Sequence, residues 1–236
     1  YEMIDMVTTP DGSLVAMVHC NNCTSDLNAW VNLFKEYQQL LGVPVDMNEV
    51  FGKLYNHALE GDADCGGLIS YNYISGEPVT GLAEGRPMFV RSANDKFNLA
   101  NFMRSHLYAS VGVLKIGNDI LFNEEHVKVD RITGHGGLFK TKGVGQRILA
   151  AAINSPISVM ETAGEGGAWG IALLGSYLVN SGAHESLADF LENKVFAGNT
   201  GVEIAPTAED VAGFNIYIEN YKRGLAIEKV AVENKY

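Results

Sequence analysis

Residues 127–180 hold two strand–glycine loop–helix units in direct succession, and no other part of the chain restricts the fold as much. A strand over 127–132 runs straight into GHGGLFKTKGVGQ (134–146), and a helix follows over 144–153. A second strand over 157–160 leads into a second glycine-rich loop, AGEGGA (163–168), and a small-residue helix over 167–180. In α/β proteins a ligand sits beyond the carboxyl ends of the strands, where loops enter helices. Gly134, Gly136 and Gly137 lack Cβ atoms, so a flat ring or a phosphate can approach the backbone there. Lys140 and Thr141 add a positive charge and a hydroxyl. The stretch is not a P-loop, because Phe139 precedes Lys140-Thr141, and Phe139 also occupies the third glycine position of a dinucleotide fingerprint. One such loop is as readily a tight turn as a ligand bed. Two of them on consecutive units converge on one crevice and favour a binding site.

The remaining segments are consistent with one α/β domain. An apolar strand over 13–19 precedes a helix with Leu27, Trp30, Val31, Phe34, Tyr37 and Leu41 at helical spacing, capped by Ser25 or Asp26 and stopped at Gly42. A second helix is predicted over 47–59, a buried strand over 68–74 and a loop over 75–91. A long helix then carries Leu99, Phe102, Met103, His106, Leu107, Ser110, Val113, Leu114 and Ile120 on one face. Two amphipathic helices close the chain, the last displaying Val211, Phe214, Asn215, Ile218 and Leu225.

Composition limits the partners. The 236 residues, 47% of them apolar, suffice for one large domain. A formal charge of −11 argues against nucleic acid, which needs a cationic face, but leaves room for a small anion held by backbone N–H groups. No apolar run approaches the roughly 18–20 residues of a membrane span. Three cysteines, sparse and odd in number, fit a reducing cytoplasm.

Other clusters carry less. Cys20 and Cys23 form a C-x-x-C beside His19, but neither His57 nor Cys65 completes a zinc set at a recognised spacing, so structural cysteines are the better reading. Glu60, Asp62 and Asp64 open like a calcium loop, yet Gly66 stands where the next oxygen ligand is needed. The six histidines are scattered, with His106 on the buried face of the long helix.

Taken in order, GDADCGGLISYNYISGE (61–77), VDRITGHGG (129–137) and ETAGEGGAWGIALLG (161–175) resemble the FGGY carbohydrate kinases, specifically the C-terminal domain of xylulokinase- and ribulokinase-like members. The segment NNCTSDLNAWVNLF (21–34) is similar to the family's small-residue run before a tryptophan-bearing helix. The resemblance implies a ribonuclease H-like domain of the actin/hexokinase/Hsp70 type, the ATP-binding half of a two-domain enzyme that phosphorylates a pentulose, hexulose or related sugar. It places Gly136 and Gly137 as adenosine-loop glycines, Thr141 near the adenine, Ser25 near the nucleotide and the 163–169 loop beside them. It further implies ATP with Mg²⁺ as cofactors, a sugar-binding N-terminal domain as partner, and a catalytic base upstream of Tyr1. Exposed apolar residues on the closing helices would serve a homodimer. One departure stands out: family members commonly continue Ser75-Gly76-Glu77 with Arg and Thr/Ser-Pro, where this chain has Pro78-Val79-Thr80. That change is compatible with a diverged, non-catalytic nucleotide-sensing domain, the competing expectation.

Overall fold

A computed structural model describes residues 1–161, 166–198 and 201–234. The chain opens on an antiparallel hairpin of β1 (Ile4–Thr8) and β2 (Leu14–Val18), with Ile4 opposite Val18. Helices α1 (Ser25–Leu40) and α2 (Met47–Ala58) follow, then β3 (Ile69–Tyr71) paired antiparallel with β4 (Met88–Val90). The long helix α3 (Leu99–Asp119) ends in a wide π-type turn, Ile120–Glu124. Next come β5 (Ile132–Gly134), α4 (Val144–Ile153) and β6 (Ile157–Val159), a parallel unit with Ile132 in register with Ile157. Helix α5 (Gly166–Asn180) precedes the single-turn α6 (Leu187–Phe190) and its continuation as a wide turn, Leu191–Val195. Strand β7 (Val202–Ile204) pairs antiparallel with β6, and α7 (Ala208–Glu233) closes the fold.

The core is built around α3, which packs against α2, α4, β3 and α7. Met103, Leu107, Tyr108 and Val111 of α3 meet Leu54 of α2, Ile148 of α4, and Phe214, Tyr217 and Tyr221 of α7 in one apolar cluster. Each such fully buried side chain contributes about 1.5–3 kcal/mol. Arg104 lies in the middle of this core, and its charge is met on every side. Its guanidinium donates to the backbone oxygen of Gly61 (2.9 Å), to the Tyr108 hydroxyl (3.1 and 3.0 Å) and to Asp210 Oδ1 (2.5 Å). Asp210 also accepts from Arg147 Nε (2.7 Å) and from the Thr207 hydroxyl (2.8 Å). The node therefore ties α3, α4 and α7 together.

Several sequence expectations need correcting. The strand predicted over 127–132 forms only at Ile132–Gly134, where β6 offers a partner, while Val127 and Val129 point into solvent. The strand predicted over 68–74 shortens to three residues, because Asn72 turns its amide to the Cys23 carbonyl (2.7 Å) and Ile74 N donates to Asn22 Oδ1 (2.9 Å). The loop predicted over 75–91 contains β4 and a 3₁₀ turn at Pro78–Thr80. The cap of α1 is Thr24, not Ser25 or Asp26. On α7, Asn215 faces solvent, and Tyr217 and Tyr221 fill the positions beside Phe214 and Ile218.

One element is left uncovered. Helix α5 is almost entirely apolar, yet none of its residues is buried, and Leu178 and Val179 are each 82% exposed. It is held chiefly by rings: Trp169 on Phe196 (5.6 Å between centroids) and Tyr177 on Phe190 (5.4 Å).

Candidate functional site: a groove between the glycine loop and two helices

The glycine stretch folds as β5, an open turn at Gly136, one 3₁₀ turn over Gly137–Phe139 and then α4. Gly136 has φ +106°, a conformation that side-chain-bearing residues rarely adopt. A Cβ on Gly136 or Gly137 would meet nothing within 4 Å, so both backbone faces are open. Gly134 is different. It is buried, and a Cβ there would lie 2.5 Å from the Phe139 ring, so its missing side chain makes room for the protein's own core.

Gly137, Lys140 and Thr141 line a groove of about 500 Å³. Its opposite wall comes from two helices: Thr24 and Asn28 at the start of α1, and Asn48, Phe51, Gly52 and Tyr55 along one side of α2. Helix α2 is capped by Asp46, whose carboxylate accepts from Asn48 N at 2.8 Å. Helix α1 has no side-chain cap, so its first N–H groups keep their donor capacity and the positive end of the helix dipole stays open. Phe51 and Tyr55 meet edge to face, 5.6 Å between centroids at 89°. Gly52 also has no atom within 4 Å of a Cβ position.

The structure thus brings Gly137, Lys140 and Thr141 into one groove, with Gly136 adjoining. Ser25 is the first residue of α1, exposed and next to the lining residue Thr24. Gly134 lies behind the loop. Of the second loop, residues 163–165 lie outside the described residues, but Gly166 sits against His135, where a Cβ would approach Nδ1 to 3.1 Å. The sequence reading missed Thr24, Asn28, Asn48, Phe51, Gly52 and Tyr55, which are scattered over two helices. One signal was present: a glycine inside a helix costs about 1 kcal/mol against alanine, and Gly52 stands mid-helix without a packing reason.

Three other features have structural explanations. Burial pushes the thiol of Cys20 up to about 12, far from the thiolate that metal binding or redox exchange requires. His106 is buried among Trp30, Phe89 and Phe102, its Nδ1 2.8 Å from Ser70 Oγ. Burial holds its pKa down at about 3, so the imidazole is neutral and its 3.7 Å approach to Asp26 is not an ion pair. The acidic turn is likewise committed: Asp62 accepts from Asn101 Nδ2 and Lys96 Nζ, both at 2.9 Å.

The C-terminal-domain model of the FGGY family of carbohydrate kinases matches residues 2–179. The chain belongs to the FGGY carbohydrate kinase family. Among curated proteins no sequence matches it. Solved FGGY structures superpose closely on this domain. The xylulose kinase of Rhodospirillum rubrum gives a TM-score of 0.69 at 17% identity, over 98% of this chain and 43% of its own. A ligand-bound xylulose kinase from Lactobacillus acidophilus gives 0.65 at 17% identity, over 96% and 43%. A Plasmodium falciparum glycerol kinase with ADP gives 0.56 at 14%, over 84% and 37%. The FGGY domain described here therefore has the actin/hexokinase-like ATPase fold of those kinases and spans about two fifths of their length.

Proposed function

We propose that the groove beside Gly136-Gly137 holds the adenosine part of ATP, and that this domain is the nucleotide half of an enzyme that phosphorylates a carbohydrate hydroxyl. The observation that supports this reading is the convergence of three glycine-loop residues with the uncapped start of α1 and the groove-lining residues of α2 on one groove of about 500 Å³, large enough for a nucleoside. The glycine faces give a flat bed, Phe51 and Tyr55 a ring wall, and Thr24 and Thr141 hydroxyls at the edge. Lys140 supplies a positive charge at the same rim. Transfer of the γ-phosphoryl depends largely on positioning and charge neutralisation, and this domain contributes the first of these. Among the described residues no three His, Cys, Asp or Glu side chains converge. Magnesium, held by the nucleotide's phosphates, would supply charge neutralisation at the transferring group. The sugar and the carboxylate that deprotonates its hydroxyl belong, in this reading, to the family's other domain.

Calorimetry of the 236-residue chain with ADP and Mg²⁺ tests the groove. Binding in the micromolar to millimolar range is expected, and its absence at millimolar nucleotide sinks the assignment. A second reading, a nucleotide sensor without transfer activity, is favoured by one observation. The departing loop at Pro78–Thr80 is folded inward, with Glu77 and Val79 buried and the Thr80 hydroxyl 3.2 Å from Tyr73 Oη. A phosphorylation screen over pentuloses, hexuloses and polyols with a longer protein containing this domain separates the two.

A further inference from the structure

We propose that Asn28 and Asn48 read the base in this groove and restrict it to adenine; the proposal rests on the groove being a nucleotide site. Three buried asparagines elsewhere, Asn22, Asn72 and Asn101, hold the fold together. Asn22 donates to the Ser75 carbonyl and accepts from Ile74 N, Asn72 donates to the Cys23 carbonyl, and Asn101 binds Asp62. Asn28 and Asn48 are the contrast. Both are exposed in the groove, and neither side-chain amide has a hydrogen-bond partner among the described residues. Asn48 engages only its backbone N–H, with Asp46. They sit one turn into α1 and at the start of α2, on the wall that faces Gly137 and Thr141.

A side-chain amide carries a donor and an acceptor side by side. Adenine presents the matching pair, the N6 amino group beside a ring nitrogen, and is held by asparagine in a two-point contact. Guanine is held most strongly by charged groups, a carboxylate for its N1–H and N2–H₂ donors or a guanidinium for O6 and N7. The groove lining contains neither an acidic residue nor an arginine. The half-buried Phe51 ring, backed by the buried Tyr55, gives the base a surface to stack on, which is tolerant of base identity. Discrimination thus falls to the two amides.

Calorimetry with ADP and GDP, each with Mg²⁺, tests this on the full chain and on Asn28→Ala, Asn48→Ala and Asn48→Asp variants. Both positions are exposed, so unchanged thermal midpoints are the control for folding. The unaltered chain is expected to bind ADP at least about tenfold more tightly than GDP. Each alanine variant weakens ADP binding and leaves GDP binding as it was, and Asn48→Asp shifts the preference toward GDP. Equal affinity for ADP and GDP in the unaltered chain, or unchanged ADP affinity in both alanine variants, overturns the base-reading assignment while leaving the nucleotide groove in place. No binding of either nucleotide overturns the groove and the base reading together.

Discussion

Gly134, Gly136 and Gly137 lie within four residues of one another, yet they lack side chains for different reasons. A methyl group at Gly134 collides with the Phe139 ring, whereas one at Gly137 projects into open space above the groove. Gly134→Ala is therefore expected to destabilise the domain by about 1–3 kcal/mol through overpacking. Gly137→Ala is expected to leave the denaturant midpoint unchanged and to weaken ADP binding, a pairing that chemical denaturation and calorimetry check directly. His106 makes a second prediction at this scale. Its folded pKa is about 3, well below the usual value of 6.5, so between those limits the unfolded chain binds a proton that the native chain refuses. Stability then falls as pH drops from about 6.5 toward 3, by up to about 1.4 kcal/mol for each pH unit. Asp26, raised by burial, titrates with the opposite sign, so the comparison with His106→Gln isolates the imidazole. Thermal melts from pH 7 to 4 are expected to show a flatter profile for the variant.

At the level of elements, Asp210 joins three helices through two arginines. Burial pushes its carboxyl up, but hydrogen bonds from Arg147, Thr207 and Arg104 outweigh that and bring it down to about 2. A depressed carboxylate stabilises the fold above its unfolded pKa of 3.8, and that stabilisation disappears as pH falls through about 2. Asp210→Asn leaves Arg104, 2% exposed, without its counter-charge, and is expected to cost about 3–5 kcal/mol. Arg147→Ala, at a half-exposed side chain, is expected to cost clearly less in the same urea titration. The helices of this framework were readable in advance. The bounds of α4 coincide with the periodic run 144–153 because Gly143 and Asn154, both left-handed, punctuate it. Three-residue strands such as β4 and β7 carry no such signature, since their existence depends on partners far away in sequence. The groove shows the same division. The glycine-loop wall could be read from a contiguous motif, whereas Asn28, Asn48 and Phe51 meet only because α1 and α2 pack side by side.

For the molecule as a whole, the apolar face of α5 is the most conspicuous surface. Ile171, Leu178 and Val179 are exposed together on one helix. A contiguous apolar patch of this kind binds hydrophobic dyes such as anilinonaphthalene sulfonate in the native state. An Ile171→Lys, Leu178→Lys double variant is expected to lose most of that fluorescence without a change in thermal midpoint, because neither side chain supports the core.

The family match ends at residue 179, but the cooperative unit does not. Tyr217, Tyr221 and Asp210, all beyond that boundary, occupy the centre of the core around α3. A protein engineer who trims the gene at the end of the recognised module would remove the counter-ion of Arg104 and one wall of the interior in a single cut. The evolutionary module and the thermodynamic one thus have different edges, and any chimera that swaps this C-terminal domain between family members has to splice after α7, not before it.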